Sequence, residues 1–93
     1  MVLGGELSAV EALRHTPAGV PLMSFSIAHR STQTEAGIGR RVECEVPGLA
    51  LGAAALALSA QRPGAKVRVS GFLTQRGRAS RQLVVHVNEV ELL

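Results

Sequence analysis

Apolar and polar residues alternate with a period of two along most of this chain. The segment P-L-M-S-F-S-I-A-H-R (21–30) places Met23, Phe25, Ile27 and His29 on one face and Leu22, Ser24, Ser26 and Ala28 on the other. In R-R-V-E-C-E-V-P (40–47), Val42, Cys44 and Val46 fall together, opposite Arg41, Glu43 and Glu45. Such alternation predicts half-buried strands with one face toward a core. Pro47 is expected to end the second of them. K-V-R-V-S-G-F-L (66–73) repeats the pattern, with Val67 and Val69 inward and Lys66 and Arg68 outward. Residues 82–92 form a longer strand with Leu83, Val85 and Val87 on one face. The first strand, V-L-G-G-E-L (2–7), is interrupted by Gly4 and Gly5, and paired glycines predict a bend or a close approach of backbones. By these parities Phe25 belongs to the core, whereas Phe72 shares a face with Arg68 and Ser70 and is expected at the surface.

The connections are equally legible. H-T-P-A-G-V-P (15–21) carries Pro17 and Gly19, turn chemistry that stops either neighbouring strand. S-T-Q-T-E-A-G-I-G (31–39) is polar and small and predicts a mobile loop. Leu49 to Gln61 is alanine-rich, with leucines at 49, 51, 56 and 58, and R-P-G at 62–64 closes it, so a helix is predicted there. The order is three strands, a helix, then two strands, in a single domain over 1–93. This predicts an all-β protein: a five-stranded OB-fold barrel, the oligonucleotide/oligosaccharide-binding architecture, with a short α-helix between strands three and four.

Charge adds a direction. Ten basic residues face seven acidic ones, a net charge of +3. All seven acids are glutamates, and none occurs between Glu45 and Glu89, an interval holding Arg62, Lys66, Arg68, Arg76, Arg78 and Arg81. A positive stretch with nothing to cancel it suits phosphates or an acidic partner, though a solvated face has the same composition. Nine of the ten basic residues are arginine, whose planar fork matches phosphate. Three of them crowd the loop T-Q-R-G-R-A-S-R-Q (74–82) between strands four and five. In this fold that loop, the loop between strands one and two, and the face of strands two and three frame the ligand. Arg14 and His15 lie in the first of these loops, and Arg30, Arg40 and Arg41 flank the connection between strands two and three.

Other chemistries find little support. The single Cys44 excludes an internal disulfide and any zinc site built on several thiolates, and its parity with Val42 and Val46 predicts a buried, inert thiol. His15, His29 and His86 lack helical metal-ligand spacing. Glu43 and Glu45 sit on the charged face of a strand beside arginines, which fits solvation better than acid–base work. Neither a signal peptide nor a bilayer-spanning run is read, since the most apolar stretch, 49–58, is about half the length a span needs. A reduced, cytoplasmic protein that is not an enzyme, with no cofactor and no membrane association, is expected.

Several segments carry a resemblance: L-R-H-T-P-A-G-V-P (13–21), H-R-S (29–31) followed by E-A-G (35–37), C-E-V-P (44–47), V-R-V-S-G-F (67–72) and V-H-V-N-E-V-E-L (85–92). Through them the chain resembles, nearly end to end, the primosomal replication protein N (PriB) family, small bacterial relatives of single-stranded DNA-binding protein. The resemblance implies a homodimeric barrel of the replication-restart primosome that binds single-stranded DNA, PriA helicase and the primosomal loader protein. By position it implies DNA contacts at Arg30 and at Arg76, Arg78 and Arg81. Together with Arg14, His15, Arg40, Arg41 and Phe72, these make up the expected DNA-binding set.

The chain departs from that family in one respect. Some members carry aromatic residues where Ile38 and Glu43 stand here, and the whole chain has two phenylalanines, no tryptophan and no tyrosine. Stacking a base on a ring is worth about 1–3 kcal/mol, so binding dominated by phosphate contacts and steeply dependent on salt is expected. The alternative is a protein-interaction module of the primosome with weak DNA binding of its own. A stand-alone single-strand binder outside the primosome is a third reading, disfavoured by the lack of an acidic carboxy-terminal tail.

Overall fold

The computed structural model describes the backbone of residues 1–93 and the side chains of all but Thr32, Gln33, Thr34, Glu35, Arg40 and Val42. Its elements are β1 (Val2–Val10), β2 (Arg14–His15), β3 (Pro21–Glu35), β4 (Ile38–Leu51), α1 (Ala53–Ser59), β5 (Lys66–Gln75) and β6 (Leu83–Leu92). The sheet order is β1-β5-β6-β4-β3-β2, and a further β1–β3 pairing closes five strands into the expected barrel. The expected loop between strands four and five is thus the β5–β6 loop.

Closure depends on β1, which changes partner half-way. Val2–Glu6 pair with β5 and Glu6–Val10 with β3, the ladder shifting register between Leu7 and Ala9. Gly5 lies at the handover. A Cβ there would collide with the Ala28 carbonyl and come within 2.7 Å of Ile27 Cγ2, so the expected close approach occurs at this glycine. β4 and β6 pair in parallel through Gly48–Ala50 and Val85–Val87, completing the circuit.

The period-two parities of β3 and β5 hold: Met23, Phe25, Ile27, Val67 and Val69 are buried, with Leu7, Leu58, Val85 and Val87. α1 contributes Ala54, Ala55 and Leu58 to this core. Four expectations are corrected. Pro47 does not end its strand, because β4 continues to Leu51. Pairing with β6 begins only at Gly48, so Pro47 sits where β4 has β3 as its sole neighbour, and a free strand edge accommodates a missing N–H. The helix consequently starts at Ala53, after Gly52, and not at Leu49. Residues 31–39 are not a loop either. β3 and β4 run on as a two-stranded ribbon to a tight turn at Ala36–Gly37, where φ is 51° and 78°, the positive values that two-residue hairpins require.

The fourth correction is Cys44, whose thiol is exposed. β1 pairs with β3 no further than Ala28, so the ribbon beyond it has no third strand against it. Parity predicts burial only where something packs on that face. Val42, expected inward beside Cys44, lies outside the described side chains. His29 anchors the base of the ribbon: its ring bridges the Gly4 carbonyl through Nδ1 at 2.7 Å and Ser31 Oγ through Nε2 at 3.2 Å.

A candidate nucleic-acid interface

The β5–β6 loop is short and tied at its base. The Arg76 N–H donates to the Gln82 carbonyl at 2.9 Å, Arg76 Nη1 donates to Gln82 Oε1 at 3.3 Å, and the Ser80 N–H donates to the Gly77 carbonyl at 3.1 Å. Gln82 in turn donates its N–H to Ser80 Oγ at 3.1 Å. This frame holds Arg76, Arg78 and Arg81 outward in solvent, and the loop itself contains no acid. β4 and β6 run parallel and β6 begins at Leu83, so the loop stands at the end of the barrel from which the β3–β4 ribbon projects.

The ribbon carries Arg30 and Arg41 on one outer face, but not alone. Glu43 lies directly across the ladder from Arg30, and its carboxylate is 3.2 Å from Arg41 Nε. Glu45, two residues on, accepts a hydrogen bond from Ser8 Oγ at 2.6 Å. Its positive field is therefore weakened locally. Arg40 has its backbone opposite Gln33, and its side chain lies outside those described. Elsewhere Arg68 pairs with Glu91 at 3.0 Å, and Glu6 is the register partner of Lys66. The stretch without acids in sequence is thus partly neutralised in space, and among the described residues the loop arginines keep the most concentrated free charge.

Arg14 and His15 occupy β2, an exposed two-residue strand paired with Leu22 and Pro21. The turn beyond is shaped as Pro17 and Gly19 predict: Thr16 and Val20 bond across it, and Gly19 has φ 84°. Arg14 Nη2 donates to Ser24 Oγ at 3.3 Å, which fixes the guanidinium over β3. This pair sits at the opposite end of the face from the ribbon, since Leu22 also pairs with Leu51. The expected residues therefore form two groups, not one.

Between the groups lies an apolar surface of which the sequence reading assigned only Phe72. Phe72 is 51% exposed, and the His86 ring packs beside it with centroids 5.3 Å apart and planes tilted by 36°. Leu49 is the ladder partner of His86 from β4. With Leu51, Val87 and Asn88, these residues line a groove. Leu49 and Leu51 escaped notice because they read as helix, and His86 because it was weighed only as a metal ligand. The shared parity of His86 and Asn88 on the outer side of β6 was the available signal.

The comparisons with known proteins agree with this architecture. Residues 1–89 match the model of a family described as another single-strand binding protein family. The replication restart protein PriB of Nitrosomonas europaea is 33% identical over 93 residues, covering 100% of this chain and 86% of that protein. This chain belongs to the PriB family. PriB of Proteus mirabilis is 38% identical over 96 residues, covering 100% of this chain and 91% of its own. Among solved structures, PriB from Ralstonia solanacearum superposes with a TM-score of 0.87 at 30% identity, covering 100% of this chain and 96% of that one. The single-stranded DNA-binding protein from Thermus aquaticus shares the fold, with a TM-score of 0.77 at 23% identity over 99% of this chain and 48% of its own.

Proposed function

We propose that this chain is a single-stranded DNA-binding accessory protein of the replication-restart primosome, holding the strand chiefly by arginine–phosphate contacts. The observation that carries the reading is the tied β5–β6 loop, with three exposed arginines and no acid, beside a half-exposed Phe72. Guanidinium forks on a short braced loop suit successive phosphates, and an exposed ring suits a base of any identity. Arg14 and His15 continue the path at the far end, and Arg30, Arg40 and Arg41 add weaker contacts from the ribbon. Family membership supports the restart role, in which the chain acts in the cytoplasm as a homodimer stabilising PriA helicase and loader assembly at stalled forks. No group in this reading turns over a substrate, and it requires no cofactor and no membrane; among the described residues no helix is long and apolar enough to cross one.

Fluorescence anisotropy of a labelled oligo-dT at several salt concentrations tests the proposal. Binding that falls steeply and linearly on a log–log salt plot is expected. A second reading, a protein-interaction module with little DNA binding of its own, is favoured by the acids on the ribbon. No detectable binding at low salt, together with saturable binding to the helicase, would select it. Sedimentation velocity tests the dimer, which is expected at about twice the 9.7 kDa chain mass.

A further inference from the structure

Resting on the single-strand reading above, we propose that His86 is a further DNA contact, whose ring takes up a proton as a phosphate of the bound strand settles against it, so that binding tightens as pH falls. His86 stands directly opposite Phe72 in the β5–β6 ladder, and the contact between their rings holds the imidazole beside an exposed phenyl group in the groove. Its backbone is fixed as well. A Cβ on Gly71 would run into the His86 carbonyl, and β6 bulges just beyond, since Gly71 pairs with Val87 and Ser70 with Glu89, leaving Asn88 without a partner on β5. Bulges of this kind recur beside functional sites. The three histidines differ in what their rings do. Both nitrogens of His29 are used within the fold, on the Gly4 carbonyl and on Ser31 Oγ. His15 stands exposed on β2. His86 is half-buried, yet among the described residues neither of its ring nitrogens has a hydrogen-bond partner, so both are free to pair with a ligand.

The charges around the groove decide what that ligand is. Leu49 and Leu51 from β4, Phe72 from β5, and Val87 and Asn88 from β6 line it with His86, and none of them titrates. β5 contains no acid. Glu43 and Glu45 of β4 precede its pairing with β6, which begins at Gly48. On β6, Glu89 lines a different groove with α1, and Glu91 is paired with Arg68. The flanking charges are cations. Arg76 follows Phe72 along β5 into the loop, and the Arg14 guanidinium is bonded to Ser24, which lies two ladder spacings from His86 through Leu49, about 10 Å by strand geometry. A strand that spans the two groups of arginines therefore crosses His86, and with no carboxylate in the groove the counter-ion for an imidazolium comes from that strand. Histidine is the side chain that changes charge between about pH 5 and 8. An anion within about 4–6 Å favours its charged form, and an N–H bond from that form to a phosphate oxygen is roughly twice as strong as a neutral one. Phosphate binding and proton uptake then reinforce each other reciprocally.

Proton NMR of the histidine rings tests this on the wild-type protein, free and saturated with dT15, across about pH 5 to 8. His86 is identified in the spectrum by its contact with Phe72. Its titration midpoint is expected to rise on binding by about 0.7 pH unit or more, equivalent to a roughly fivefold tighter complex for the protonated ring. The gain is then complete below the midpoint of the free protein and is lost as pH rises through that of the complex. Anisotropy with labelled dT15 should show affinity rising from about pH 8 to about pH 6, and in His86→Gln that rise should shrink by the same factor. A His86 midpoint that stays put while the strand binds, or a pH dependence that survives whole in His86→Gln, would overturn the contact and leave the DNA-binding reading intact. No binding of dT15 at any pH, even at low salt, would remove both.

Discussion

Glu43 shows how one side chain can set the character of a surface. It faces Arg30 across the ladder and contacts Arg41, so two of the expected phosphate contacts share one carboxylate. Exposed ion pairs add little to stability, of the order of 0–1 kcal/mol, so the cost of Glu43 falls on the field a nucleic acid meets. Replacing it with glutamine should leave the fold unchanged and steepen the salt dependence of binding by about 0.7, one phosphate on a single strand. An unaltered slope would place the strand off the ribbon. Glu43→Trp, which also supplies a ring, should tighten binding further. Cys44 is the other telling residue, because its alternating parity predicts burial and its thiol is exposed. Native protein should react with a thiol reagent at one equivalent, without denaturant and at the rate of a free thiol; protection would mean that a partner covers the ribbon.

The element that carries most of the proposed binding is the β5–β6 loop. Changing Arg76, Arg78 and Arg81 together to alanine should lower the log–log salt slope by roughly two, about 0.7 per lost phosphate contact. The bond from the Arg76 N–H to the Gln82 carbonyl is backbone and survives the change, so lost affinity would report charge and not a collapsed loop. This loop was legible in the sequence because its composition and position are local facts. So were the strands of the barrel wall, whose inward positions follow from period two in β3 and β5. What the sequence hid was tertiary in origin. Pro47 stays within β4 because of where β6 joins, Cys44 is exposed because β1 leaves β3 at Ala28, and Leu49 and Leu51 read as helix because leucine and alanine suit one. The pairing of Phe72 with His86, and the bulge that frees Asn88, belong to a register that no local pattern encodes.

At the scale of the molecule, the core is shallow and shared among all five barrel strands and the helix, so single truncations should be costly. Leu7→Ala removes a fully buried side chain next to the β1 handover, and should destabilise by about 2–5 kcal/mol. For a chain of this size that corresponds to a drop in Tm of at least about 10 °C, readable by circular dichroism. A shift of only a few degrees would mean that the handover region rearranges to fill the space. The handover also governs the order in which the protein can be built. Val2 leaves the ribosome long before its ladder partner, Ser70. For most of its synthesis β1 has half of its pairing to wait for, while the β3–β4 hairpin can form at once. A barrel wall that joins strands this far apart in sequence closes late and slowly, and the nascent chain must carry an open first strand until β5 has been made.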